Sequence, residues 1–209
     1  MKKQIILVCM SVLTVFGAVA QNAEILKKGR FGIRAGLNIA KESYKQSGMS
    51  LTLDNQTGVL AGLVYECPLT EQLYVGTGLL FSQKGGKFET DEGSTKEILN
   101  YLDLPLNLVF KADLKGPKLL LEAGPQFSYA LSGKDKTEVS GMSVSEDIEF
   151  GSGEDQVKRF DFGLNLGGGI EFMDFQLKVN YVIGLADISN FSGGSVKNNT
   201  LGISLSYFF

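Results

Sequence analysis

The chain has 209 residues, 44% of them hydrophobic, with 26 glycines, four prolines, no histidine and a formal net charge of −3. That charge balance excludes the basic surface that nucleic acid requires, and no nucleic-acid partner is expected. The absence of histidine excludes catalysis that relies on an imidazole as general base.

The first element has the layout of a secretory signal: Lys2 and Lys3 ahead of an apolar run from Ile5 to Phe16, then Ala18-Val19-Ala20 as an A-x-A cleavage site. The run is short for a membrane-anchoring helix, which needs about 20 apolar residues. Residues 1–20 are therefore expected to be removed, leaving 21–209 as a single barrel domain. Gln21 rather than Cys follows the cleavage site, so no lipid anchor is expected. Loss of Lys2 and Lys3 leaves 18 basic against 23 acidic residues, and Cys67 as the one cysteine, read as a small apolar filler beside a turn.

Eight segments then alternate bulky apolar residues with small or polar ones, the period of a pleated strand whose two faces meet different surroundings. The first sets Phe31, Ile33, Ala35, Leu37 and Ile39 against Gly32, Arg34, Gly36 and Asn38. The second, near 58–66, is noisier, and its clearest mark is the carboxylate of Glu66 on the inner parity. The third runs over 73–82. The fourth sets Leu102, Leu104, Leu106, Leu108 and Phe110 against Tyr101, Asp103, Pro105, Asn107 and Val109. The fifth (119–129) carries Glu122 among its small and polar residues, and the sixth (159–172) carries Arg159, Asp161 and Glu171. In the seventh (175–185) Lys178 shares a face with Gln176 and Asn180. The eighth (200–209) ends in Tyr207-Phe208-Phe209.

The connections alternate too: Gly/Ser/Lys/Glu-rich stretches near 40–57, 84–97, 132–156 and 187–198, read as long loops, against short links near 67–71, 111–117 and 172–174. Alternation by itself fits a soluble barrel or a membrane one. Loop asymmetry and aromatic placement favour the membrane. Phe31, Tyr65, Phe110, Phe172, Phe175, Tyr207 and Phe209 fall near one set of strand ends, and Phe81, Phe127, Tyr129 and Phe160 near the other, as two interfacial girdles. Strands cross hydrocarbon only as a closed sheet, and an even count permits antiparallel closure. The fold expected is all-β, an eight-stranded antiparallel up-and-down transmembrane β-barrel in the outer membrane. Short turns and both chain ends would face the periplasm.

Eight strands enclose a space that side chains can fill. Arg34, Arg159 and Lys178 together with Glu66, Asp103, Glu122, Asp161 and Glu171 are expected to form a structural charge network there, since buried charges need partners.

The opening Gly32-Ile33-Arg34-Ala35-Gly36-Leu37-Asn38, the strand end Phe81-Ser82-Gln83-Lys84-Gly85, Tyr101-Leu102-Asp103-Leu104-Pro105 and the terminal Tyr207-Phe208-Phe209 resemble small outer-membrane barrels of the Bacteroidetes type, the porin-family or PorT-like proteins. The resemblance covers essentially the whole chain after the signal segment. It implies the barrel architecture, and it implies that Tyr207 and Phe209 form the C-terminal signal read by the outer-membrane insertion machinery. Barrel enzymes of the outer membrane resemble one another in needing a catalytic histidine, which this chain lacks.

No catalytic, cofactor or metal site is expected. Gly167-Gly168-Gly169 lies in a strand without a following Lys-Ser/Thr, so it is not a phosphate loop. The acidic loop clusters, among them Glu146, Asp147 and Glu149, lack calcium-loop spacing. The reading is a non-enzymatic barrel acting in envelope structure or surface contact, with lipid, the insertion machinery and an extracellular partner as its company. A narrow channel or a secretion accessory factor is the alternative.

Overall fold

The computed structural model describes residues 29–46, 49–52, 54–90, 93–139, 142–153, 156–190 and 194–209. The expected signal segment, residues 1–20, lies outside the described residues. The strands are β1 (Arg30–Gln46), β2 (Met49–Thr52), β3 (Asp54–Pro68), β4 (Leu73–Lys84), β5 (Gly86–Thr90), β6 (Gly93–Asp113), β7 (Lys118–Val139), β8 (Met142–Asp147), β9 (Phe160–Phe172), β10 (Phe175–Gly184) and β11 (Gly194–Phe208).

Eight of them close a ring. Hydrogen bonding passes from β1 through β11, β10, β9, β7, β6, β4 and β3, and β3 pairs back onto β1, every pair antiparallel. The result is an eight-stranded up-and-down β-barrel without an open edge along its wall, its ladders interrupted only locally between β4 and β6 and between β6 and β7. No described helix is long and apolar enough to cross a membrane.

The alternation decides which face points where. On β7, Leu121 is 55% exposed while its neighbour Glu122 is 5% exposed, and the same contrast runs along each strand of the ring. Bulky residues such as Leu37, Leu63, Leu79, Leu104, Val179 and Leu205 stand outward. The aromatic girdles are present as well: Phe31 packs on Tyr65 with ring centroids 4.7 Å apart, and Phe175 on Tyr207 at 5.0 Å, both at the end that carries the chain termini. At the opposite rim Phe127 stacks between Phe160 and Phe162. Cys67 is buried against Val75, Tyr65, Leu69 and Leu108, in keeping with its reading as filler.

Among the described residues, the short links at 69–72, 114–117 and 173–174 lie at the end with the termini. Residues 114–117 close on a Leu114 N–H to Pro117 carbonyl bond of 2.9 Å, with Lys115 and Gly116 at positive φ. The link at 173–174 places Met173 at φ 53°. A left-handed conformation is costly for a side chain without a local hydrogen bond to offer, so Met173 carries backbone strain.

The other end departs from the expectation. The stretches read as loops near 40–57, 84–97 and 132–156 are in large part strand, and β11 begins within 187–198: β1 and β2, β5 and β6, and β7 and β8 run on as hairpins beyond the aromatic rim. Their Thr, Ser, Lys and Glu residues lack an apolar parity and so hide the strand signal, yet the ladders continue because the barrel wall templates them. Where β6 meets β7 the register slips, with Asn100 opposite Ser132 and Tyr101 opposite Ala130. The extra residue, Leu131, reverses the parity of β7 above it.

A second packing unit closes this end. Leu99, Tyr101, Ala130 and Ile188 are buried together, with Ile148, Phe150, Val157 and Val196 packed on them. The segment before β9 and the one after β10 supply this cover and are fastened by backbone: Ile148 N–H to Gly133 at 3.0 Å, Lys158 N–H to Ile188 at 2.7 Å and Ile188 N–H to Val196 at 3.0 Å.

A filled lumen as the candidate functional site

Inward side chains stack in levels along the barrel axis. At the level nearest the tight turns, the Lys111 ammonium donates to Glu66 Oε2 at 2.6 Å and to Glu171 Oε2 at 2.8 Å. Arg30 donates to the same two carboxylates. Gln176 Nε2 adds bonds of 2.9 Å to Glu66 Oε1 and 2.6 Å to Glu171 Oε2. Two aromatic rings back the cations: Arg30 lies 4.3 Å above Phe208, and Lys111 lies 4.2 Å above Tyr74. Two carboxylates against two cations make this level neutral, which limits what its burial costs.

The next level is centred on Glu122. Its Oε2 accepts from Lys178 at 2.8 Å, and its Oε1 accepts from the amides of Asn107 (3.0 Å), Asn165 (3.1 Å) and Asn180. The four donors come from three strands, β6, β9 and β10, and the acceptor stands on β7, so one carboxylate ties four neighbouring strands of the wall together. Above it Lys84 donates to Asp103 Oδ1 and Ser128 Oγ, each at 3.0 Å, while Gln126 Nε2 donates to Asp103 Oδ2 at 3.0 Å. Higher still, Asn198 Nδ2 reaches Asp161 Oδ2 at 3.2 Å and Tyr101 Oη at 3.3 Å.

Of the eight residues expected in the network, Lys178 meets Glu122 and Glu66 directly, Glu171 is joined to Glu66 through Lys111, Arg30 and Gln176, and Asp103 and Asp161 occupy the higher levels. Arg34 faces inward but donates to Ser206 Oγ at 2.9 Å and makes no ion pair among the described residues. Arg159 is the correction. It precedes β9, is exposed, and donates to the Ala130 carbonyl at 3.1 Å with its guanidinium 5.0 Å above the Phe150 ring. Its parity is that of the lumen, but the wall has ended there and the parity no longer has a lumen to point into.

Sequence reading missed Arg30, Lys84 and Lys111, which supply three of the cations. Each lies one or two residues past the end of an apolar run and on its inner parity, so continuing the count of two would have found them. Gln176 and the three asparagines were assigned to the inner parity without a role; their role is set by the carboxylates they meet, which sit on other strands.

At the hairpin mouth, beyond the aromatic rim, Glu97 on β6 lies directly opposite Asp135 on β7. Burial and the carboxylates of Glu42 and Asp135 raise the Glu97 carboxyl to about 9. Burial and Glu146 push Asp135 upward as well.

The outer membrane protein beta-barrel domain model matches residues 19–190 of the chain. No curated protein sequence matches it. Among solved structures, the chain is similar to the attachment invasion locus protein Ail of Yersinia pestis, at 19% identity over 87% of this chain and 99% of that one, with a TM-score of 0.42. Neisserial surface protein A gives 13% identity, 86% and 97% coverage and a TM-score of 0.45. OprG of Pseudomonas aeruginosa gives 13%, 87% and 96%, and 0.42. With a closed ring of strands and a family model matched over most of its length, the chain belongs to the outer membrane protein beta-barrel domain family.

Proposed function

We propose that this barrel is a closed, non-enzymatic element of the bacterial outer membrane whose work is done outside, by the strand hairpins that rise beyond its aromatic rim. The observation that carries the reading is the lumen. Stacked ion pairs and amides span it at successive levels, and the Leu99–Ile188 cluster covers its hairpin end. Cavities of about 40 Å3 and about 10 Å3 lie between these levels, room for a few waters and not for a hydrated solute in transit.

In this reading the tight turns and both chain ends face the periplasm. Residues 1–20 are the export signal, and outward Tyr207 and Phe209 serve the insertion machinery. The resemblance of the motifs at 32–38, 81–85 and 101–105 to PorT-like barrels of the Bacteroidetes type supports a kinship with that group. Ligand contact falls to the hairpins, where β8 exposes Met142, Val144 and the acidic Glu146 and Asp147.

Single-channel recording on refolded protein in planar bilayers tests the reading, with no stable conductance steps expected. Reproducible ion-sized steps would overturn it in favour of the narrow channel. A deletion strain with defective protein secretion would favour the accessory-factor alternative.

A further inference from the structure

Beyond the aromatic rim the hairpin sheet of β6, β7 and β8 is sided by charge. Glu97, Asp135 and Glu146 form one cross-strand row on the inward parity. Lys96 and Lys136 stand directly opposite each other on the outward parity, with Lys134 one position nearer the rim on the same face. Lys134 and Lys136 are exposed and Lys96 is half-buried. Lys134 reaches Asp147 at 3.8 Å, a carboxylate that is itself 85% exposed, and Glu138 is the next position outward on that face. Lys96 and Lys136 have no ion pair or side-chain hydrogen bond among the described residues. Like charges directly opposite on a sheet are destabilising, so this pair costs the hairpin stability unless an anion lies against it.

Height and direction narrow the identity of that anion. The last outward row of the rim is Phe81, Leu102, Tyr129 and Phe160. The row above it is polar and uncharged: Gln83 Nε2 donates to Asn100 Oδ1 at 3.1 Å, and Asn100 Nδ2 to Ser132 Oγ at 2.9 Å. Lys96 lies six residues from Leu102 along β6, which at about 3.4 Å per residue and a strand tilt of about 40° lifts it about 15 Å above the rim. The headgroup layer of an ordinary phospholipid bilayer adds only about 5–8 Å on each side of the hydrocarbon. A phospholipid phosphate therefore lies below the lysine pair. Outward parity also aims the ammonium groups sideways, at what stands beside the barrel, rather than up into solution.

We propose that this lysine face binds the phosphate groups of outer-leaflet lipids whose headgroups are phosphorylated sugars, tall enough to stand level with Lys96 and Lys136. The assignment rests on the reading that the hairpins lie outside the cell. Charge sidedness then has a use: the inward acids face the mouth, and the outward lysines face the surrounding lipid.

The test uses mature protein refolded in an uncharged detergent and titrated with fluorescent lipopolysaccharide truncated to its phosphorylated inner core. Binding is expected, and weaker binding of the same lipid after dephosphorylation. Lys96→Gln with Lys134→Gln and Lys136→Gln should weaken it about a hundred-fold, from about five-fold for each lysine beside an anionic surface. Arginine at the same three positions keeps the charge and should keep the affinity, which separates lost charge from a misfolded hairpin. Lys115→Gln with Lys118→Gln, at the opposite end of the barrel, should change nothing. Parental affinity in the triple glutamine variant, or for the dephosphorylated lipid, would overturn the site. Phosphatidylglycerol or soluble polyphosphate bound as tightly would overturn its assignment to sugar-phosphate lipids. Orientation is read apart from these affinities, by protease on cells: β8 cut only after lysis would refute the outside placement of the hairpins.

Discussion

Replacing Glu122 with leucine removes the acceptor that Lys178 and three asparagine amides share. Lys178 is 2% exposed, so its ammonium is shielded from bulk water, and its other carboxylate, Glu66 Oε1, is 4.0 Å away and already engaged below. Breaking a buried pair by deleting one partner costs about 3–5 kcal/mol. Each amide left without an acceptor adds about 1–3 kcal/mol, less what repacking and water recover. Glu122→Leu is therefore expected to lose at least about 4 kcal/mol of unfolding free energy. Glu122→Gln keeps an acceptor for the amides and should lose about 3 kcal/mol, the share of the stranded ammonium. Adding Lys178→Met to Glu122→Gln removes that ammonium and should restore stability to within about 2 kcal/mol of the parent. The assay is urea unfolding of protein refolded into lipid vesicles, followed by tyrosine fluorescence, since the chain has no tryptophan. A Glu122→Leu variant within 1 kcal/mol of the parent, about the error of the measurement, would refute the idea that this carboxylate holds the wall together.

Other outcomes follow from the same geometry. Glu97 holds its proton to about 9 in the folded protein and to its ordinary, lower value when unfolded, so the folded form binds more protons between the two. Stability should fall as pH rises through that window, and Glu97→Gln should flatten the profile and raise the melting temperature at pH 8 more than at pH 5. Leu121→Arg, on the outward face, should cost about 2–4 kcal/mol in bilayers, while the same change at an outer hairpin position such as Val144 should cost almost nothing. Met173→Gly relieves the positive φ and should stabilise by about 1 kcal/mol in the same urea titration. Protease added to intact cells should cut first in β8, where every residue is exposed, and later in 148–158, which is pinned over the mouth; the reverse order would contradict the described cover.

What the sequence by itself determined is the wall. A two-residue period is a local property, and Leu121 beside Glu122 or Leu177 beside Lys178 states which face is outward with no knowledge of neighbouring strands. Eight such runs with short and long links in alternation leave antiparallel closure as the simplest solution, and glycine-rich inner parities mark a narrow interior. The hairpin extensions were illegible because Ser, Thr, Lys and Glu lack an apolar face above the rim, and their strands persist through ladder hydrogen bonds propagated from below.

The tertiary structure decided who meets whom inside. Lys111 finds Glu66 and Glu171 across 45 and 60 residues of chain, and Gln176 finds Glu66 across 110. These distances depend on shear and register around the whole ring, which no single strand encodes. Arg34 and Arg159 show the limit most plainly. Both carry inner parity, yet one stands beside a cavity flanked by glycine and serine, and the other lies past the end of the wall against Phe150. Parity is fixed by the peptide unit, whereas pairing is fixed by closure.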